Sequence, residues 1–203
     1  MSYELLIPLA GMAICCAGCV LVNVLSGLIV KLSGLFLLYF GSAVLLLNVI
    51  SPQMCVALLV CGIGVSVLLG TSQRFGPADF LPDAKNRPQL LFHSVLALMS
   101  AILAFTMGDL LHFWIPVRQR ILFVTLWITL LSLLNLSLDD NLLYRFIYLQ
   151  TICLAFTVIY IYMESSALIF AFFAIINLLM AFGGSMLSLG KISEQDDQKW
   201  SNI

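Results

Sequence analysis

Long apolar runs broken by short polar stretches set the plan of this chain. The first run covers 5–30, with Asn23, Ser26 and Gly27 near its polar end and Lys31 after it. The second covers 34–50 and stops at Ser51-Pro52-Gln53, where the proline disfavours helix in the residue before it. The third covers 54–70. A loop at 71–89 carries Arg74, Lys85 and Arg87 against Asp79 and Asp83, with three prolines. Further runs cover 90–111, 121–138, 142–162 and 167–189, and the tail from Gly190 is polar. A helix crosses the hydrocarbon core of a bilayer in about 20 residues, so each run is read as one span. The predicted fold is all-α and polytopic, with seven transmembrane helices.

Composition agrees with that reading. The chain has 203 residues, 62% hydrophobic and 9% charged, with a mean hydropathy of +1.10, far more apolar than a soluble domain. The start, MSYELLIPLAG, lacks a basic leader region and is read as a retained first helix. Net charge is -1, which gives no electrostatic case for nucleic acid. Cys15, Cys16 and Cys19 are close in sequence, but no second Cys/His cluster completes a tetrahedral site. They are read as small apolar packing residues, and no metal or cofactor is expected.

With seven spans the two ends lie on opposite sides. Seven basic residues then fall on one side (Lys31, Arg74, Lys85, Arg87, Arg145, Lys191, Lys199) and two, Arg118 and Arg120, on the other. The positive-inside rule places the N-terminus outside and the C-terminus in the cytoplasm. A shift of 114 residues lays Ser51 on Ser165, Gly70 on Gly184 and Gly34-Leu35-Phe36 on Tyr148-Leu149-Gln150. A parallel duplication of a three-helix unit accounts for this. The division is 1–71 for the first unit, 72–120 for a cytoplasmic loop and connecting helix, 121–189 for the second unit and 190–203 for the tail.

Two stretches carry a family likeness. Gly18 is followed by Gly34-Leu35-Phe36-Leu37-Leu38, and then by Asn48 after a leucine run. The second stretch runs Asp139-Asp140-Asn141-Leu142-Leu143-Tyr144-Arg145-Phe146-Ile147-Tyr148-Leu149-Gln150. The unit resembles the small three-helix K/4L-type subunit of respiratory complex I and its elongated relative, component E of hydrogenase-4-type complexes. The resemblance covers both units but not the fourth span. It implies an inner membrane, bacterial or organellar, with other membrane subunits and the lipid bilayer as partners and a quinone nearby. It also implies glutamates that take part in proton transfer. The second-helix glutamate is replaced here by Phe36 in the first unit and Gln150 in the second. The third-helix region holds Gly64 and Val65 in one unit and Leu178 and Leu179 in the other.

The remaining candidates are few. Lys31, His93 and Arg145 are candidate polar interior residues. Lys31 is placed to snorkel to the cytoplasmic surface. His93 is read as a hydrogen-bonded packing residue, with a proton relay or quinone contact as the alternative. Arg145 is expected to pair with Asp139 and Asp140 at the interface. Glu4, Asp109 and Glu164 are read as solvated span ends. Asn23, Asn48, Asn135, Gln150 and Asn177 are expected to make helix-to-helix hydrogen bonds, and Gly11, Gly18, Gly62 and Gly64 to allow close helix contact. No nucleotide loop, catalytic triad or zinc motif is present. The expected function is a non-catalytic membrane subunit of a respiratory or hydrogenase-like complex. The alternatives are a small transporter or channel, or a membrane enzyme or assembly factor.

Overall fold

The structure is a computed structural model that describes the backbone of residues 3–71 and 87–201, and side chains over 7–71 and 90–189. The predicted loop, with Arg74 and Lys85, falls mostly outside the described residues, as does the side chain of Glu4. Among the described residues seven helices follow one another: α1 Tyr3–Asn23, α2 Leu28–Leu46, α3 Pro52–Thr71, α4 Arg87–Leu111, α5 Gln119–Leu138, α6 Leu142–Met163 and α7 Ala167–Ser201. Among the described residues there are no strands. Six of the helices, α2 to α7, are long and apolar enough to cross a membrane, and α1 adds a shorter described apolar stretch, Ile7–Asn23. The architecture is compatible with an integral membrane protein.

Local chemistry sets the breaks. Gly27 stands at φ 109°, a conformation that favours glycine, so the chain turns there and α2 starts at Leu28. This corrects the predicted first span, which ran through the turn to 30, and puts Lys31 in the first turn of α2. Pro52 takes the first position of α3, where a missing N–H costs nothing. The Asn141 side chain caps α6 by accepting from the Leu143 N–H at 3.1 Å. The α4–α5 link is tied by Gln119, which donates to Asp109, and by the His112 ring, whose Nδ1 lies 2.9 Å from the Val117 carbonyl. The segment read as a polar tail continues α7 as helix to Ser201.

The helices form two layers of three. In the first, α1 packs on α2 and α2 on α3; in the second, α5 packs on α6 and α6 on α7. The layers meet helix on helix: α1 against α5, α2 against α6, α3 against α7. Leu28 and Leu142, which open α2 and α6, are 114 residues apart. Side-chain bonds between the layers join residues 109 to 117 apart. Each helix therefore rests on its counterpart at nearly the same height. α4 lies outside this block, against α5 and the edge of α1. Burial follows: 56% of the α2 span is buried but only 17% of the α4 span.

Between lipid-facing helices apolar area gives little drive, so close packing must hold them together. The α1–α2 hairpin has four glycines in its seam. A Cβ on Gly11 would stand 2.7 Å from the Leu45 amide, one on Gly18 2.9 Å from the Leu38 amide, one on Gly34 2.9 Å from the Val22 amide, and one on Gly41 2.8 Å from the Cys15 amide. Backbone meets backbone at both ends of the hairpin. Gly62 serves the next contact, since a Cβ there would lie 2.5 Å from Tyr39.

Candidate functional site

The buried polar groups collect at two levels. The first lies at the end of the bundle that holds the α1–α2 and α5–α6 turns. Lys31, 4% exposed, points inward. Its Nζ donates to the Val22 carbonyl at 2.9 Å and to the Tyr148 hydroxyl at 2.6 Å. The ammonium also lies over the rings of Tyr144 and Tyr148, at 5.0 and 4.7 Å from their centroids. The Tyr148 hydroxyl donates in turn to Asp139 Oδ2 at 3.1 Å. Lys31 thus does not reach the surface as the sequence suggests. α2 begins three residues before it and the turn below it is short, so its stem is directed between α1 and α6.

Beside this chain stands an amide and hydroxyl cluster. Asn23 donates to Ser132 Oγ at 3.4 Å and accepts from Asn135 at 3.2 Å; Thr151 donates to Ser132 Oγ at 2.6 Å. Two buried atoms here have no partner among the described residues, Asn135 Oδ1 and His93 Nδ1. His93 faces the cluster from α4, within electrostatic reach of Lys31 and Asp139. Arg145 lies on the outside, with Nη2 3.2 Å from Asp140 Oδ1 and Nε donating to the Asp139 carbonyl at 2.5 Å.

The second level lies near the middle of α2, α6 and α7. Gln150 Nε2 donates to Tyr39 Oη at 2.9 Å and to Asn177 Oδ1 at 2.6 Å, and Asn177 Nδ2 reaches Thr157 Oγ1 at 3.5 Å. Every member is neutral and buried. The two positions matched to the family's second-helix glutamate are not brought together. Gln150 is 1% exposed, whereas Phe36 is 38% exposed on the outer side of α2. Asp109 and Glu164 are exposed at helix ends.

The cysteines pack. Cys15 and Cys19 are buried one turn apart; the Cys15 thiol sits 3.9 Å from Ser42 Oγ, and Asn23 Nδ2 donates to the Cys19 sulfur at 3.7 Å. Among the described residues no three His, Cys, Asp or Glu side chains could hold a metal ion. Tyr148, Tyr39, Ser132, Thr151 and Thr157 were not singled out by sequence. A tyrosine in an apolar run looks like filler until its partner, over a hundred residues away, is known, and a threonine until its partner on another helix, about twenty residues away, is known.

Comparison with protein-family models, curated proteins and solved structures returned no match.

Proposed function

We propose that this chain is a non-catalytic integral membrane subunit of a larger respiratory or hydrogenase-like complex, a structural element beside other membrane subunits. The observation that supports this most is the closed, uncharged network at mid-depth: Tyr39, Gln150, Asn177 and Thr157 satisfy one another. A coupled ion path through that level is expected to use charged groups, and this network holds amides, a threonine hydroxyl and a phenol but no carboxylate, amine or imidazole. The glycine seam and the one-to-one layer contacts give a stiff block suited to stacking against neighbours. The likeness to the K-type subunit supports the same reading, with Phe36 and Gln150 where that family has an acid. The partners proposed are other membrane subunits and lipid.

Mild solubilisation of native membranes and sizing of the tagged chain test this. The proposal expects an assembly several times larger than the 22.4 kDa chain, with complex I-type or hydrogenase-type subunits in the same fraction. A chain that migrates alone, in lipid and detergent, contradicts it.

A further inference from the structure

Lys31 is held in an unusual way for a buried cation. Among the described residues no carboxylate lies within ion-pair distance of its Nζ, and the ion pair nearby is Arg145 with Asp140. The nearest acid, Asp139, is reached through the Tyr148 hydroxyl, with steps of 2.6 and 3.1 Å. Asp139 is half-buried at the bundle end, while Tyr148 and Lys31 are 1% and 4% exposed. The three groups form a file from the interface inward.

A hydroxyl between an amine and a carboxylate permits two arrangements with the same heavy-atom geometry. In one, the ammonium donates to Tyr148 and Tyr148 donates to the Asp139 carboxylate. In the other, the protonated Asp139 carboxyl donates to Tyr148, and Tyr148 donates to the lone pair of a neutral Lys31 amine. Both hydrogen bonds survive, reversed in direction. The second arrangement removes two charges from a poorly solvated place. The Val22 carbonyl keeps its donor in both, because a neutral amine still carries two N–H groups.

We propose that Asp139, Tyr148 and Lys31 form a proton-exchange site open to this end of the bundle. A proton from water binds Asp139. As the Asp139 O–H bond breaks, an O–H bond forms at Tyr148; as the original Tyr148 O–H bond breaks, an N–H bond forms at Lys31. The carboxyl is left as carboxylate and the amine as ammonium, with no change of oxidation state. The reverse sequence returns the proton. The other charged or titratable groups around the file are His93 on α4, Tyr144 and Arg145 on α6, and Asp140 beside Asp139. α1 contributes the Val22 carbonyl, and α5 contributes the neutral Asn135. The site stops short of the mid-depth amides, so it stands apart from the proposal that the chain is a structural subunit.

The test uses the full chain, labelled with ¹⁵N at its four lysines, in phosphatidylcholine nanodiscs. The Lys31 signal is assigned by its loss in K31M, and the exchange rate of its Nζ protons with water is measured. Y148F and D139N should each slow exchange about tenfold or more, a barrier change of about 1.4 kcal/mol. T151V, which removes a neighbouring hydroxyl outside the file, should leave the rate unchanged. Should Y148F fail to fold, D139N at the interface decides alone. Exchange as fast as wild type in a folded Y148F or D139N overturns the proposal, and so does equal slowing in T151V.

Discussion

Gln150 is a buried amide that joins three helices. An amide cannot take up and release a proton near neutral pH, but it can donate twice, and here it ties α6 to both α2 and α7. Gln150→Leu removes both donations and leaves Tyr39 Oη and Asn177 Oδ1 to find other partners. Interhelical hydrogen bonds in membranes are worth about 0.6 kcal/mol on average and up to about 1.7, so a loss of about 1 kcal/mol is expected. Reversible unfolding in bicelles would measure it. A loss above about 3 kcal/mol would show that the residue does more than join helices. If the proposed respiratory complex is the chain's setting, the same change should leave its ion pumping per electron unchanged, and selective loss of pumping with assembly intact would place Gln150 on a working hydrated path.

Glycine decides the contacts at the scale of the helix, and adjacent positions in α7 make a clean comparison. A Cβ on Gly184 would stand 2.6 Å from Phe146 Cγ, whereas one on Gly183 would meet nothing within 4 Å. Gly184→Ala should therefore cost about 1–3 kcal/mol through forced repacking. Gly183→Ala should be neutral or slightly stabilising, because alanine is the better helix former. The same unfolding assay distinguishes them, and equal effects would argue against this α6–α7 contact. Much of the element plan was legible in sequence. The breaks at Pro52 and Asn141 follow from proline and capping chemistry that acts within a few residues. The sequence picks out Gly11, Gly18, Gly62 and Gly64 as contact positions but not Gly34 and Gly41, because a glycine seam is defined by the helix facing it. The sequence places the α1–α2 turn too late, because Lys31 looks like its marker. A charge normally reports the end of a span, and nothing local shows that Tyr148 and the Val22 carbonyl hold this one inside.

The whole molecule is two three-helix layers in register, with α4 alongside. The helix starts repeat at offsets of 114 to 116 residues, and counterparts run in the same direction: Cys61 meets Ala174 and Gly64 meets Leu178 as α3 and α7 advance together. We propose a parallel duplication as the origin of this plan. What sequence could not give was the way the two units dock, since a lipid-facing and a partner-facing leucine look alike. Because the α1–α2 seam sets α1 alongside α2 over most of its length, we propose that α1 is a seventh crossing beside the six helices long and apolar enough to span a membrane.

The odd number of crossings decides on which side of the membrane each end of the chain lies and from which side the Lys31 file opens. Cysteine labelling in a cysteine-free background tests it most directly, with single cysteines at Ser2 and Ser201 and a membrane-impermeant maleimide. Position 2 should label in intact cells and position 201 only after the membrane is opened. Labelling of both positions from one side, or of position 201 in intact cells, would contradict the account.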